Sequence, residues 1–278
     1  MREVARPMAG DLSGRSAVIS GAGRGIGRHL ALGLARAGMN VALLGRRAAE
    51  LDDTARECAR FGVEALAHPV DVRRPATVRA VVDEVVGKLG AVDLLVNNAG
   101  IADYDENPPW EVDADQWWEV LETNLRGSFN LCRSVLPVMI GTGAGRIVNI
   151  NSNVATKRDI RYTAYGTSKA ALLALSDALA GPLRAHGVSI FDISPGMVRT
   201  DMSERMTACL ERDQWVSVDL VVDAVVRVAR GELDPVSGRY LHVGADDLTE
   251  LVARALAGLP DGARTLRLLP YGADDPLA

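Results

Sequence analysis

Two side chains four residues apart, Tyr165 and Lys169, have the types and the spacing that acid–base chemistry requires. They lie in a stretch with helical periodicity, so both side chains project from one face of the helix. A phenol loses its proton only near pH ~10, and an adjacent ammonium group favours the phenolate. The pair therefore suits a tyrosine that donates or accepts a proton near neutral pH. Because helices also produce this spacing by chance, the hypothesis needs motifs elsewhere that would hold a substrate and a cofactor.

A glycine-rich loop near the start of the chain is suited to hold a phosphorylated cofactor. It runs from Ser20 to Gly27 as Ser-Gly-Ala-Gly-Arg-Gly-Ile-Gly, directly between the first predicted strand and the first predicted helix. Glycines there let backbone N–H groups approach a pyrophosphate, and the N-terminus of the helix favours its negative charge. The spacing is G-x-x-x-G-x-G, which departs from the G-x-G-x-x-G of the dinucleotide-binding fingerprint. We interpret the loop as a cofactor site, with a flexible turn as the alternative.

The elements that must position these residues alternate along the chain. Short apolar runs predict seven buried strands, at Ser16–Ser20, Asn40–Leu44, Ala65–Val70, Val92–Val96, Arg146–Ile150, Ser189–Ile193 and Arg239–Val243. Helical periodicity lies between them, at 24–38, 48–61, 75–89, 113–138, 161–186 and 217–230. Strict alternation of strand and helix implies βαβ crossovers. We predict a single doubly wound α/β domain, with a seven-stranded parallel sheet flanked by helices on both faces.

The two ends of the chain are expected to differ from this central domain. The predicted regions are a flexible N-terminal tail over 1–14, the dinucleotide-binding and catalytic domain over 15–244, and a C-terminal extension over 245–278. The extension is expected to pack on the same domain or at a subunit interface. Within it, 246–257 has the pattern of a helix, and 264–269 is either an extra strand or an extended arm.

The composition excludes several classes of protein. A net charge of −5 and a pI near 5.5 argue against a nucleic-acid-binding surface, which needs a basic stripe. Three cysteines far apart give neither a disulfide framework nor metal-ligand spacing, and the four histidines are scattered, so no metal site is expected. No apolar run reaches the ~18 residues of a membrane span, and the first residues lack the apolar core of a signal peptide. We therefore expect a cytoplasmic protein with no membrane partner.

Further motifs follow one another in order along the chain. They are Asp71-Val72, Asn97-Asn98-Ala99-Gly100, Asn124 within Thr123-Asn124-Leu125, Ser152, and Pro195-Gly196-Met197-Val198-Arg199-Thr200. Together with the glycine loop and the Tyr165/Lys169 pair, they resemble the short-chain dehydrogenase/reductase family over about residues 12–244. The resemblance implies a Rossmann-type fold, a nicotinamide cofactor, and the oxidation or reduction of a small-molecule alcohol or carbonyl.

The same resemblance implies a catalytic role for four residues. Tyr165 would be the general acid in reduction and the base in oxidation, while Lys169 would lower the pKa of Tyr165 and bind the nicotinamide ribose. Ser152 would hold the substrate oxygen. Asn124 would interrupt the helical hydrogen bonding around it and position a water on the proton relay. The cofactor-binding residues implied are Gly21, Gly23, Arg24, Gly25, Ile26, Gly27, Arg46, Asp71, Val72, Asn98, Ala99, Gly100, Tyr165, Lys169, Pro195, Gly196, Val198 and Thr200.

The end of the second predicted strand indicates which form of the cofactor is bound. An NAD site needs a carboxylate there to bind the two ribose hydroxyls, but the strand ends in a Gly-Arg-Arg run from Gly45, and no acid follows until Glu50. Arg46, together with Arg24 from the glycine loop, suits a 2′-phosphate, which accepts bidentate charge-assisted hydrogen bonds. The alternative is a pair of exposed surface arginines, and we expect Arg47 to be exposed. The sequence therefore predicts NADP(H).

The resemblance implies that the segment after the Pro-Gly motif determines substrate specificity. Met202, Met206 and Leu210 share a helical spacing, which indicates either a small lid over an apolar substrate or ordinary packing. Further candidates for the pocket wall are Asn153, Val154 and Met197.

Taken together, these patterns predict an NADPH-dependent carbonyl (ketone) reductase for a small or medium organic substrate, with Tyr165 as proton donor. Two alternatives stay open. One is an NAD(P)-dependent secondary-alcohol dehydrogenase acting in the oxidative direction, and the other is a non-catalytic NADP(H)-binding regulator. Because relatives usually pair through the helices that contain Asn124 and Tyr165, the resemblance also implies a homodimer or a homotetramer.

Overall fold

The computed structural model describes residues 10–157, 159–207, 214–272 and 274–275, so most of the expected N-terminal tail, residues 1–9, lies outside it. In the described part, seven strands form one sheet: β1 (Ser16–Ser20), β2 (Asn40–Gly45), β3 (Ala65–Pro69), β4 (Leu94–Asn97), β5 (Gly145–Ile150), β6 (Val188–Ser194) and β7 (Tyr240–His242). The α-helices are α1 (Gly25–Arg36), α2 (Ala48–Ala59), α3 (Pro75–Leu89), α4 (Ala114–Leu121), α5 (Gly127–Thr142), α6 (Thr163–Arg184), α7 (Val218–Arg230) and α8 (Leu248–Gly258).

The strands are parallel and run across the sheet in the order β3-β2-β1-β4-β5-β6-β7. Parallel neighbours need crossover connections, and helices supply them here. The order reverses between β1 and β4, and at such a switch point the loops at the carboxyl ends of the strands diverge and leave a crevice. The predicted doubly wound, Rossmann-type α/β fold with a seven-stranded parallel sheet is confirmed.

Both faces of the sheet are covered by apolar layers, because successive strand residues point to opposite sides. Ile19 of β1 packs in the layer that contains Leu30 of α1 and Val225 of α7. Its neighbour Val18 packs in the opposite layer, which contains Val82 of α3 and Leu131 of α5. The site at the end of the sheet is therefore held by strands that are fixed on both sides.

One predicted helix is divided in the structure. The periodicity predicts a single helix over 113–138, but α4 ends at Leu121, a π-helical segment follows over Glu122–Arg126, and α5 continues to Thr142. A π-helical turn contains an extra residue, which moves each backbone hydrogen bond from the i−4 to the i−5 carbonyl. Apolar spacing alone does not reveal this insertion, because the helices on either side carry the same period. The bounds of the other predicted strands and helices lie within two residues of those in the structure at each end.

The segment after α8 lies along the domain as an extended arm and forms no strand in its described residues. The Tyr240 N–H of β7 donates to the Arg264 carbonyl (2.9 Å), and Arg267 pairs with Asp177 of α6 (2.7 Å). Residues 264–269 are expected from the sequence to form either an extra strand or an extended arm, and in the structure they form the extended arm. The division of the chain into three regions stays a prediction.

Candidate active site

The sequence motifs converge at the carboxyl end of the sheet, where the loops after β1 and β4 diverge. One groove there is lined by fifteen of the expected site residues: Gly21, Gly23, Arg24, Gly25, Ile26, Arg46, Asp71, Val72, Asn98, Ala99, Gly100, Tyr165, Lys169, Pro195 and Thr200. The expected site residues that do not line this groove are Gly27, Asn124, Ser152, Gly196 and Val198. Ligands of open α/β sheets bind in crevices at this position.

Two glycines of the loop after β1 leave no room for a side chain. Gly21 has a φ of +66°, in the left-handed region that favours glycine, and a Cβ there would lie 2.9 Å from Asn98 Nδ2. A Cβ on Gly27 would lie 2.2 Å from the Gly21 carbonyl oxygen. The helix α1 begins at Gly25, on the groove wall, and its first N–H groups have no partner within the helix. This cradle fits the pyrophosphate of the expected cofactor.

Asn98 supports the cradle. Its Nδ2 donates to the carbonyl oxygens of Ser20 (2.9 Å) and Gly21 (3.2 Å). In return, Ser20 Oγ accepts the N–H groups of Asn98 and Ala99, both at 3.0 Å. The amide of Asn98, expected from the sequence to contact the cofactor, thus holds the glycine loop in shape, while the residue also forms part of the groove wall.

The end of the groove next to β2 is rich in arginine. Arg46 directly follows β2, is exposed and lines the groove. Its neighbour Arg47 is more than half exposed and pairs with Glu50. Arg24 donates to Asp201 Oδ2 (2.6 Å), across from the glycine loop. Arg24, Arg46 and Arg47 thus all line this groove, and the structure adds a partner for Arg24 that no sequence pattern indicates.

Asp71 is a charged part of the same wall. Arg73 Nη2 lies 2.7 Å from Asp71 Oδ2, and the hydrogen bonds from the Arg73 guanidinium hold the pKa of Asp71 below its usual value. Arg73 also pairs with Glu119 of α4 (2.9 Å). The Asp71 carboxylate, one of the expected cofactor-binding groups, is thereby held in its ionised form.

Tyr165 and Lys169 lie on one face of α6, as the sequence predicts. Lys169 Nζ is 5.5 Å from the centre of the Tyr165 ring, and it donates to the Ile150 carbonyl at the end of β5 (2.7 Å). Lys169 is buried, and this burial lowers the pKa of its ammonium group to about 8. A cation beside a phenol stabilises the phenolate, so the pair can exchange a proton with a bound molecule near neutral pH.

Asn124 lies in the π-helical segment and joins two elements of the site. Its Oδ1 accepts the Ile101 N–H, and its Nδ2 donates to the Ile101 carbonyl, both at 2.9 Å. The same Nδ2 donates to Ser168 Oγ on α6 (2.9 Å). The interruption of helical hydrogen bonding expected around Asn124 is present, whereas its role in a proton relay stays a prediction.

Ser152 follows β5 directly and begins a short 3₁₀ turn. Its Oγ accepts the Val154 N–H (3.3 Å), and its own N–H donates to Asn151 Oδ1 (2.8 Å). These bonds orient the side chain at the carboxyl end of β5. A direct contact between Ser152 and a substrate oxygen stays a prediction.

The sequence patterns do not identify Asp103, which lies in the loop after β4. Its Oδ2 accepts the Tyr165 N–H (2.9 Å) in the first turn of α6, where the helix dipole favours negative charge. Burial raises the pKa of this carboxyl group. The loop has no periodicity and no family motif covers Asp103, so only the fold shows that it helps to hold the helix that carries Tyr165.

An apolar cluster closes the Tyr165 end of the groove. It consists of Ala102, Tyr104, Val154, Tyr162, Tyr165, Met197, Met202, Met206 and Trp215. Glu106 connects this cluster to neighbouring residues through hydrogen bonds. Its Oε1 accepts from the Tyr162 hydroxyl (2.5 Å) and from the Thr207 N–H (2.6 Å). The loop after β4 is thereby joined to the segment after β6. Leu210, the third residue of the expected lid pattern, lies outside the described residues.

Across the described residues, no three His, Cys, Asp or Glu side chains come together as a metal site would require. Each described helix is too short or too polar to cross a membrane.

Comparison with known sequences agrees with the family resemblance that the motifs indicate. The sequence model of the family described as short chain dehydrogenase matches residues 15–210 of this chain. A short chain dehydrogenase of Pseudocercospora fijiensis is 37% identical over 193 residues, which cover 69% of this chain and 62% of that protein. This match thus spans less than two thirds of that relative's length.

Two solved structures are similar over nearly their whole length. A gluconate 5-dehydrogenase from Burkholderia cenocepacia, in complex with NADP and tartrate, is 31% identical with a TM-score of 0.78, and the match covers 84% of this chain and 95% of that one. A 7α-hydroxysteroid dehydrogenase, complexed with NADH and 7-oxo glycochenodeoxycholic acid, is 29% identical with a TM-score of 0.76, covering 85% of this chain and 96% of that one.

Proposed function

This chain belongs to the short-chain dehydrogenase family, and on that premise we propose that it is an NADPH-dependent carbonyl (ketone) reductase with Tyr165 as proton donor. Its homologues are oxidoreductases that act on CH–OH or C=O groups. The observation that carries the proposal is the position of Tyr165. Its ring centre stands 5.5 Å from the Lys169 ammonium nitrogen, on the wall of a groove that also contains the glycine cradle.

Each residue of the site has a physical task in this reaction. Tyr165 Oη gives its proton to the carbonyl oxygen of the substrate, and such transfer from a positioned side chain contributes typically ~10²–10⁴-fold in rate. The buried Lys169 ammonium stabilises the phenolate that remains. Ser152 Oγ donates to the same carbonyl oxygen while negative charge develops there. A bound dihydronicotinamide supplies the hydride.

The preference for NADPH follows from the charges next to β2. This strand ends at Gly45, where an NAD site needs a carboxylate. Arg24 and Arg46 both lie on the groove wall, and a pair of guanidinium groups suits a 2′-phosphate. The two similar solved structures contain NADP in one case and NADH in the other, so the argument depends on the residues of this chain.

The substrate in this proposal is an apolar ketone of small or medium size. The groove is lined in part by Ile101, Tyr104 and Met202, and the last two pack in the same apolar cluster as Tyr165. Methionine side chains adapt to irregular apolar shapes.

We propose a homodimer or a homotetramer as the assembled form. Trp118 of α4 is 59% exposed and Phe129 of α5 is 47% exposed. Large apolar side chains on neighbouring helices support pairing through this part of the surface.

The test is an NADPH-depletion screen over ketones, quinones and β-keto esters, run in parallel with NADH. We expect an apolar ketone to be reduced, with kcat/KM for NADPH about tenfold or more above that for NADH, since a charge-assisted hydrogen bond to the 2′-phosphate contributes roughly 1.5–3 kcal/mol. Tight binding of NADPH without oxidation across the panel would contradict the proposal and favour a cofactor-binding regulator.

A further inference from the structure

A row of polar side chains crosses the middle of the sheet beneath the site. Asn97, Asn149, Asp192 and Tyr240 lie side by side in the register of β4, β5, β6 and β7. Asn97 Nδ2 donates to Asn149 Oδ1 (2.8 Å), and Asp192 is 1% exposed. A carboxylate buried this deeply is costly unless it is hydrogen-bonded and balanced by a cation. Its burial on β6 therefore requires hydrogen-bond donors and a nearby cation that compensate for the lost hydration.

The Asp192 carboxylate has hydrogen-bond donors on two elements. Asn151 Nδ2 donates to Asp192 Oδ1 (2.8 Å), and the side chains of Ser176 on α6 and Asn149 on β5 also stabilise its ionised form. Asn151 Nδ2 donates in addition to the Lys169 carbonyl (3.2 Å). One amide thus joins the buried carboxylate to the residue that carries the ammonium group of the site.

Lys169 is the cation that balances this carboxylate. Both side chains are buried, at 5% and 1% exposure, and each favours the charged form of the other across the protein interior. They do not form the direct contact of an ion pair, because Lys169 Nζ donates to the Ile150 carbonyl instead (2.7 Å). The ammonium thus contacts the Ile150 carbonyl and faces the Tyr165 ring, while the charge of Asp192 acts on it without direct contact.

We propose that Asp192 is a positioning residue for the acid–base pair, which keeps Lys169 protonated through its charge and holds it in place through Asn151. The effect of Asp192 on catalysis rests on the proposed function. Its effect on the protonation of Lys169 does not depend on a bound substrate or cofactor.

A thiol and a phenol that lie near Asp192 stay neutral over the range of interest. Burial raises the pKa of Cys132 on α5 to about 11, and burial also raises the pKa of Tyr240 on β7. His242 lies two residues further along β7, opposite Ser194. On α6, Tyr165 and Lys169 are the groups of the proposed acid–base pair, and the experiment follows the protonation of Asp192 and Lys169.

The direction in which Asp192→Asn changes the pKa of Lys169 follows from the pKa values of the two groups. Burial raises the pKa of Asp192 to about 6 and lowers that of Lys169 to about 8, so both groups are charged between these values. An asparagine at position 192 removes the negative charge, and the pKa of Lys169 then falls further. Below about pH 6 the wild-type carboxyl group is itself protonated, so the variant and the wild type become alike there.

The experiment is a titration of the lysine side chains by NMR, which is simple here because the chain has only three lysines, Lys88, Lys157 and Lys169. With carbon-13 at Cε, we expect Asp192→Asn to lower the pKa of Lys169 by about one unit and to leave the other two lysines unchanged. The control is Asp93→Asn, which removes a carboxylate that accepts the Ser16 N–H (2.9 Å) at the opposite end of the sheet. An unchanged Lys169 titration in folded Asp192→Asn would overturn the proposal.

The wild type gives the same answer if the variant does not fold. The Lys169 resonance should then show a second inflection near pH 6, where Asp192 titrates, and its absence would overturn the proposal. In activity, kcat/KM of Asp192→Asn for ketone reduction should match wild type below about pH 6 and fall below it above that pH. If the lysine titration behaves as expected but no ketone is reduced, the proposed function has failed and the charge coupling has not.

Discussion

At the scale of single residues, a methyl group added to Gly27 of the cofactor loop would meet close neighbours, whereas one added to Gly87 of α3 would not. An alanine Cβ at position 27 would lie 2.2 Å from the Gly21 carbonyl oxygen, whereas one at Gly87 in α3 would meet nothing within 4 Å. We expect Gly27→Ala to abolish NADPH binding, because the loop must move away from its cradle. Gly87→Ala should bind NADPH normally and gain about 0.5–1 kcal/mol in stability, since glycine is unfavourable within a helix. Fluorescence titration and thermal unfolding of both variants would measure this, and normal NADPH binding by Gly27→Ala would contradict the assignment of the loop.

Two neighbouring arginines provide a matched test of the cofactor preference. Both line the groove directly after β2, but Arg47 is already paired with Glu50. Arg46→Ala should lower kcat/KM for NADPH about tenfold or more and leave the value for NADH nearly unchanged, because the lost interaction involves the 2′-phosphate. Arg47→Ala should have the smaller effect. Equal use of NADPH and NADH by the wild type would rule out the NADP(H) assignment.

At the scale of elements, the loop after β4 and the segment after β6 are joined by one side chain. Glu106 accepts from the Tyr162 hydroxyl and from the Thr207 N–H, next to the apolar cluster. We expect Glu106→Gln to raise KM for an apolar ketone several-fold with little change in KM for NADPH, since each lost charge-assisted hydrogen bond is worth roughly 1.5–3 kcal/mol and part of it is regained by the amide.

The control for this substitution is Asp105→Asn, a neighbouring acid that is exposed. Steady-state kinetics with both substrates varied would separate the two KM values. An equal rise of KM for NADPH in Glu106→Gln would show that the contact supports the whole groove and not the substrate end.

The sequence predicts most of the strands and helices around the site, but it does not predict the π-helical segment. Strands and most helices follow from short apolar runs and periodicity, because burial on a sheet or along a helix face imposes those patterns. The π-helical segment at Asn124 does not, although the family motif places Asn124 itself. Its geometry depends on bonds to Ile101 and Ser168, which are distant in sequence.

At the scale of the whole molecule, the sequence predicts the doubly wound sheet and the residues that line its crevice. It does not predict the polar row beneath them. Asp192 lies in an apolar run that reads as an ordinary buried strand, and its partners Asn151 and Lys169 become neighbours only when β5, β6 and α6 pack together. Contacts of this kind depend on strand register, which no local pattern specifies.

The most direct test of the account is the rate of ketone reduction by Tyr165→Phe. With the best ketone from the screen and saturating NADPH at pH 7, we expect kcat to fall about 10²-fold or more, because the proton donor is removed while the ring is kept. NADPH should still bind. The control is Tyr271→Phe, which changes a tyrosine that is 80% exposed near the end of the chain and should leave kcat unchanged. A Tyr165→Phe enzyme that reduces the ketone as fast as the wild type would contradict the account.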